Sequence, residues 1–370
     1  MKKIYNQKIY NEVAIKLKDH LTFYHEYLVP ENDFFRSESN NDNETNMLIV
    51  SSPSRMGNHL LHSMLDGHKD IPRVPGEDGV LFHAFKFSNN SFYEFIQNLR
   101  SDSCVDQLER YAATGGKDRK WKVFKECFEK GLIPEIYSGI QVPTTAFYVT
   151  DYQGVLFDID YSSYHNNLIE NVENINTSRS LKDVINIYYK SLNLLDYKYR
   201  HKTKYDIQVV ASGMRVMSKW ALQHYKNAIL VCSIRKFESY AISHVRSRYK
   251  QDAFSKENMR EAWEMWFHKI IDYVYLKLVF GERVIMVNFD DIITDTENTA
   301  KYICNKLDIE YDVCMLTPSA FGNPTKGNSS VIKNNDQLGK FYKRPETIDE
   351  KLIPDEYHDI WSEVKKLFNI

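Results

Sequence analysis

Residues 47–65 are the segment that most constrains how this chain can fold. The apolar run 47–50 is typical of a buried strand, and the polar turn 51–57 separates it from leucine and methionine residues at helical spacing. A strand, a tight turn and a helix in this order direct backbone N–H groups and a helix dipole towards a phosphate. Because no Gly-Lys-Ser/Thr triplet ends the turn, the pattern predicts a phosphate site that does not hold the triphosphate of ATP.

A second phosphate site is indicated further along the chain. The apolar run 228–234 predicts a strand, Arg235 follows it directly, and Ser243 comes eight residues later, about two helical turns along. Arg235 offers a bidentate fork to a dianion, and Ser243 offers a neutral donor from the next helix. Taken alone, Arg235 is equally well explained as half of a surface ion pair.

Repeated strand–helix alternation after residue 206 predicts an α/β fold with a central parallel sheet flanked by helices. Residues 1–45 read as a helical N-terminal extension and linker, and residues 46–370 as a single domain. Residues 132–205 read as an insertion with a β-hairpin at 140–165 and a helix near 181–195. The insertion is expected either to cover an acceptor pocket or to be a surface arm.

Two long helices are predicted in the second half of the chain. The sequence predicts one from Trp263 to Phe280 and one at the C-terminus, over residues 346–369.

Composition excludes several functional classes. The net charge of −2 gives no global basic field for nucleic acid, and five scattered cysteines without a CxxC pair indicate neither a disulfide framework nor a metal site. We see no signal peptide and no apolar run of about 20 residues that could span a membrane. The expectation is therefore a cytoplasmic protein.

The two phosphate-binding patterns resemble those of a known family. Residues 55–61, Arg-Met-Gly-Asn-His-Leu-Leu, resemble the 5′-phosphosulfate loop of sulfotransferases that use 3′-phosphoadenosine 5′-phosphosulfate (PAPS). Residues 64–71 and 76–78 are similar to tyrosylprotein sulfotransferases and their bacterial relatives. The chain departs from the usual loop at Ser54, Met56 and His59. The resemblance covers roughly residues 47–87 and 207–335.

The resemblance implies a P-loop-NTPase-like sulfotransferase fold with PAPS as donor and 3′,5′-adenosine bisphosphate as product. It implies that the 3′-phosphate lies against Arg235 and Ser243. It also implies donor contacts from the first loop and from a Gly/Asn/Ser loop near residue 327, where a plain turn is an equally simple interpretation. The implied donor-binding residues are Arg55, Gly57, Asn58, His59, Leu60, Arg235, Ser243, Lys326, Gly327 and Asn328.

One further segment matches the family. Residues 287–292, Val-Asn-Phe-Asp-Asp-Ile, resemble an acidic motif on the last core strand, with Phe289 in place of a tyrosine. We expect this motif to pack and to position other groups rather than to take part in the chemistry.

Sulfuryl transfer needs a base for the acceptor hydroxyl, and three residues are candidates. Glu77 is the first choice because relatives carry the catalytic glutamate in a Gly-Glu run at this place. Asp78 is an alternative because the register of the acidic pair is uncertain. His83 is a rival because small-molecule sulfotransferases use histidine.

Transfer also needs cations that offset the charge on the departing phosphate. Arg55 is the candidate for the bridging oxygen. Many relatives place a lysine on the strand near residue 212, where this chain has serine. Arg215, Lys219 and Lys125 remain alternatives for that missing cation.

The sequence therefore predicts an enzyme that transfers a sulfuryl group from PAPS to a hydroxyl of a carbohydrate or small-molecule acceptor. One alternative is a catalytically impaired protein of the same fold that only binds the nucleotide. A P-loop nucleotide kinase is less consistent with the sequence, because neither a Walker lysine nor a clear magnesium site is present.

Overall fold

A four-stranded parallel sheet is the centre of the molecule. The structure is a computed structural model that describes residues 45–74, 167, 170–171, 181–193, 203–210, 215–249, 254–320, 323–324, 339–341 and 348–368. The strands are β1 (Met47–Val50), β2 (Ile207–Val210), β3 (Ile229–Ile234) and β4 (Val284–Asn288). They lie in the order β2-β1-β3-β4, which confirms the predicted parallel α/β architecture.

Strand β1 pairs on both sides, with Met47 opposite Ile207 and Leu48 opposite Ile229. The chain after β1 forms β2 on one side of it and then crosses to form β3 on the other side. The carboxyl ends of β1 and β3 therefore meet where the strand order reverses, and ligands bind at such switch points in open parallel sheets.

Helices connect and cover the strands. They are α1 (Asn58–Leu65), α2 (Leu181–Asn193), α3 (Arg215–His224), α4 (Phe237–Tyr249), α5 (Lys256–Phe280), α6 (Phe289–Thr294), α7 (Thr296–Leu307) and α8 (Glu356–Phe368). Short 3₁₀ turns lie at Gly281–Arg283, Val313–Leu316 and Glu350–Leu352. A small antiparallel pair joins β5 (Ser319–Ala320) to β6 (Asn323–Pro324).

Three helix boundaries differ from the sequence-based predictions. Helix α5, predicted to start at Trp263, starts two turns earlier because Ser255 caps it by accepting from the Asn258 N–H at 3.1 Å. The motif 287–292 was expected on the last core strand, but the strand ends at Asn288, which caps the new helix α6 by accepting from the Asp290 N–H at 3.2 Å. The predicted C-terminal helix 346–369 begins only at Glu356.

Alternate residues of the strands feed two apolar cores, as the period of a strand requires. Met47 and Ile49 face the core under α2, α3, α4, α5 and α8, whereas Leu48 and Val50 face the core under α1 and α7. The first core contains a group of aromatic residues in which the centroid of the Trp266 ring lies 5.3–6.1 Å from the ring centroids of its neighbours. Its members are Phe237, Trp263, Trp266, Tyr357 and Trp361.

Helix α2, which falls inside the predicted insertion 132–205, packs into the first core through Ile185 and Tyr188. Tyr225, the residue directly after α3, also fixes it by donating to the Lys182 carbonyl at 3.2 Å. The predicted hairpin at 140–165 lies outside the described residues, and so do residues 1–44 of the predicted extension 1–45, so the domain boundaries stay predictions. Among the described helices, no segment is long and apolar enough to cross a membrane.

Candidate functional site

The turn between β1 and α1 has an unusual backbone. Arg55 has φ 71° and Gly57 has φ 100°, both in the left-handed region that non-glycine residues rarely adopt. The Met56 N–H closes the turn on the Pro53 carbonyl at 3.0 Å, and the Leu61 N–H starts α1 by donating to the Gly57 carbonyl at 3.0 Å. The N–H groups of residues 58–60 come before this first helical hydrogen bond, so bonds within the helix do not use them. They point out of the N-terminal end of α1, as the N–H groups of a phosphate site do.

Hydrogen bonds attach this turn to the end of β3. The Ser233 N–H donates to the Ser52 hydroxyl at 2.8 Å, and the Ser233 hydroxyl donates to the Met56 carbonyl at 2.8 Å. Because the Ser233 proton is used in this way, the Ser52 hydroxyl donates to the Ser233 oxygen at 3.0 Å. The Ser52 N–H also donates to Oδ1 of Asn58 at 3.0 Å. The turn is thus held by β3 and by its own helix.

The structure places the predicted residues of the first loop in two groups. Arg55 is exposed, whereas His59 is half-buried with its Nδ1 atom buried. Asn58 is buried and its Oδ1 accepts from the loop itself. Leu60 is buried in the core, so its contribution to a ligand is limited to its backbone N–H.

Arg235 extends from the end of β3, beside this turn. Its Nε donates to the Ser239 hydroxyl one turn along α4 at 2.8 Å, and its backbone carbonyl accepts from the Trp266 indole at 2.8 Å. Its guanidinium carbon lies 4.0 Å from the centroid of the Phe289 ring. Ser243 is half-buried one turn beyond Ser239, so α4 carries both hydroxyls after the arginine.

Phe289, the first residue of α6, lies between the turn after β1 and Arg235 at the end of β3. It stacks on Arg235, and a Cβ atom added to Gly57 would lie only 2.3 Å from its ring. This close approach is why the turn needs a glycine there, in addition to its positive φ. The motif at 287–292 therefore packs both loops together, although it does so from a helix rather than a strand. Asp290 beside it is buried, with Lys236 Nζ at 3.8 Å.

Sequence reasoning missed a lysine at the turn. Lys269 of α5 donates from Nζ to the Ser54 carbonyl at 3.3 Å and to the Tyr240 hydroxyl at 2.9 Å. Burial, together with the positive charge of Arg55, lowers the pKa of Lys269 to about 8. Ser54 and Lys269 lie 215 residues apart, so no local pattern could have found this contact. Ser239 was missed as well, although its position four residues after Arg235 was a usable signal.

Several predicted residues cannot be compared with the structure. Lys125 and residue 212 lie outside the described residues, and so do these candidate base and loop residues: Glu77, Asp78, His83, Lys326, Gly327 and Asn328. Arg215 begins α3. Lys219 is buried, with Nζ 5.4 Å from the centroid of the Tyr275 ring on α5. Within the described ranges, no group of three His, Cys, Asp or Glu side chains is arranged to hold a metal ion.

Comparison with known proteins gives the family. A model described as the sulfotransferase family matches residues 48–313, more than two thirds of the chain, and includes both loops. The chain therefore belongs to the sulfotransferase family. No curated protein matches it.

Solved structures similar to the chain include two domains from biosynthetic systems. The sulfotransferase domain of the Synechococcus PCC 7002 olefin synthase is 15% identical with a TM-score of 0.44, covering 90% of this chain and 96% of that domain. The sulfotransferase domain from the curacin biosynthetic pathway is 14% identical with a TM-score of 0.45, covering 88% and 99%. A sulfotransferase from Alicyclobacillus acidocaldarius is 11% identical with a TM-score of 0.36, covering 88% and 96%.

The contact between Gly57 and Phe289 generates a stability prediction. Gly57→Ala forces a Cβ against a buried ring, whereas Gly281→Ala places one at a φ of 59° with nothing within 4 Å. Both substitutions strain the backbone, but only the first also overpacks the interior. We expect Gly57→Ala to lower the free energy of unfolding by about 1–3 kcal/mol more than Gly281→Ala, measured by urea denaturation. Equal losses would show that Phe289 does not press on the turn.

Proposed function

We propose that this chain transfers a sulfuryl group from PAPS to a hydroxyl group of a carbohydrate or small-molecule acceptor. The observation that carries the proposal is the junction of the two phosphate loops. Ser233 bonds the turn after β1 to the end of β3, and Phe289 contacts both Gly57 and Arg235. A nucleotide with a phosphate at each end of its ribose requires two such sites close together.

The donor would lie across this junction with its 5′-phosphosulfate at the turn. The backbone N–H groups of residues 58–60 and the side chains of Arg55 and His59 would contact the 5′ end. Arg235 and Ser243 would contact the 3′-phosphate, because Arg235 is already oriented by Ser239 and by the Phe289 ring. Residues 326–328 would close over the nucleotide.

The reaction is a direct transfer in which one S–O bond forms and another breaks. The acceptor oxygen attacks sulfur while the bond from sulfur to the 5′-phosphate oxygen breaks, and the acceptor proton passes to a base. Glu77 is the proposed base, with Asp78 and His83 as alternatives. Arg55 would stabilise the bridging oxygen as it gains negative charge. Side chains supply every charge in this scheme, so it includes no metal ion. The products are the sulfated acceptor and 3′,5′-adenosine bisphosphate.

The remaining features of the proposal concern organisation. Residues 46–370 would form one catalytic domain after a helical extension, and the insertion 132–205 would cover the acceptor pocket. Acceptors would be small molecules or glycans rather than nucleic acid, since the net charge is −2. We place the reaction in the cytoplasm.

Removal of the Arg235 side chain tests the 3′-phosphate assignment. We expect Arg235→Ala to weaken binding of 3′,5′-adenosine bisphosphate by more than about 1.5 kcal/mol, or more than about tenfold, because a charged hydrogen-bond donor is lost. Isothermal titration calorimetry measures the affinity. Arg260→Ala is the matched control, because Arg260 is exposed on α5 and pairs only with Glu264 at 3.1 Å among the described residues. Unchanged affinity in Arg235→Ala would refute the assignment.

Replacement of the proposed base separates binding from chemistry. Glu77→Gln keeps the size of the side chain but removes the carboxylate that would take the proton of the acceptor hydroxyl. We therefore expect unchanged affinity for the bisphosphate and a transfer rate about 10²–10⁴-fold lower. The rate is measured with labelled PAPS over a panel of hydroxyl acceptors. Normal turnover in this variant would move the base to Asp78 or His83. A wild-type protein that binds the bisphosphate but transfers to no acceptor would instead be the impaired nucleotide-binding protein.

A further inference from the structure

A second positive side chain reaches the turn from a distant helix. Lys269 lies midway along α5, and its Nζ donates to the carbonyl of Ser54, the residue directly before Arg55. An ammonium group has three N–H donors. The contacts with Ser54 and Tyr240 use two of them, and no carboxylate in the described part of the chain forms an ion pair with Lys269. One donor and the whole positive charge are therefore available for an anion.

Buried polar groups on α4 hold Lys269 in this position. Its Nζ lies 5.0 Å from the centroid of the fully buried Tyr240 ring and donates to the hydroxyl of that residue. Because this hydroxyl accepts from Lys269, its own proton is directed to Nδ1 of His244 at 3.3 Å. The two rings stack with centroids 5.5 Å apart. His244 is 8% exposed, and its Nε2 has no hydrogen-bond partner among the described groups.

These neighbours orient Lys269 without neutralising it. Burial lowers the pKa of His244 from its usual value of 6.5, so its ring carries no charge near pH 7. Burial also raises the pKa of Tyr240, so its hydroxyl stays protonated. Two cations, Lys269 and Arg55, thus lie beside the same turn, at the N-terminal end of α1. A bound anion would remove the repulsion between them.

We propose that Lys269 binds the 5′-phosphate end of the donor and offsets its charge when the S–O bond breaks. Lys269 would then take the part of the lysine that related enzymes carry near residue 212. This inference rests on the proposed function, because it assumes a nucleotide with a 5′-phosphate at the turn. Tyr240 and His244 are positioning residues that fix the direction of the ammonium group.

Two nucleotides that differ only at the 5′ end test this role. We expect Lys269→Met to weaken binding of 3′,5′-adenosine bisphosphate at pH 7 by at least about tenfold, the loss typical of a charged hydrogen bond. Affinity for adenosine 3′-monophosphate, which lacks the 5′-phosphate, should change by less than about twofold. Lys256→Met is the control, because Lys256 is exposed and lies about 20 Å along the same helix.

The outcomes separate this inference from the function on which it rests. Tight binding of the bisphosphate by both wild type and Lys269→Met would overturn the role of Lys269 and leave the proposed function standing. An equal loss for both nucleotides would also overturn it, because the lysine would then act through the structure as a whole. Failure of the wild type to bind the bisphosphate would overturn both proposals.

A pH series on the wild type decides the question even if Lys269→Met does not fold. With a pKa of about 8, Lys269 loses its charge between pH 7 and 9. The ratio of bisphosphate affinity to monophosphate affinity should therefore fall about tenfold over this range. The described charged and titratable groups that face Lys269 are Arg55 on the turn and Tyr240 and His244 on α4, and Arg248 on α4 and Glu261 on α5 face His244 in turn. Across this range Tyr240 stays protonated because burial raises its pKa, and His244 stays neutral because burial lowers its pKa.

Lys269→Arg supplies the matched pH control. An arginine keeps its charge throughout the range, so the affinity ratio of this variant should stay constant. A constant ratio in the wild type would overturn the assignment of Lys269 to the 5′ end.

Discussion

The hydrogen bonds between Ser233 and the turn after β1 are the constraint on which the rest of the site depends. Ser52 and Ser233 lie 181 residues apart in sequence, yet their hydroxyls are 3.0 Å apart because β1 and β3 are neighbours. The Ser233 hydroxyl also donates a hydrogen bond to the Met56 carbonyl of the turn. One buried serine pair therefore fixes the distance between the turn after β1 and the end of β3.

The same contacts allow the turn to keep a backbone that is unfavourable in isolation. A left-handed arginine costs about 1–2 kcal/mol, and the surrounding structure must supply that energy. Asn58 is buried and Gly57 is half-buried, whereas Arg55 is exposed. Strain, a positive side chain and the start of a helix are thus concentrated in a few residues. Strained backbone of this kind is common at binding sites.

Local patterns in the sequence were sufficient to predict the sheet, the turn after β1 and the position of Arg235 at the end of β3. The strand–turn–helix at 47–65 and the strand followed by Arg235 were predicted and are present, because burial and helical periodicity are local properties. The start of α5 was wrong because its first two turns are mostly charged and a serine cap sets the boundary. Helix α6 was missed because the apolar residues of 287–292 continue the strand pattern.

Contacts across the fold could not be predicted in the same way. Lys269 reaches the turn only because α5 packs beside α4. Of the cation candidates chosen from sequence, Arg215 and Lys219 were close to the expected strand, and Lys125 lies outside the described residues. Phe289 was predicted to position other groups, but its contacts with Gly57 and Arg235 depend on the order of β3 and β4. The base, with Glu77 as first choice, stays a prediction that rests on resemblance alone.

The most direct test of the account is the thermal stabilisation of the wild-type protein by three nucleotides at equal concentration: 3′,5′-adenosine bisphosphate, ADP and ATP. A ligand at about 100 times its dissociation constant adds about 2.7 kcal/mol to the free energy of unfolding, which a melting curve resolves easily. Two phosphate sites at separate ends of a ribose predict a shift with the bisphosphate that is much larger than the shift with ADP or ATP. Equal shifts with all three nucleotides, or a larger shift with ATP, would contradict the account.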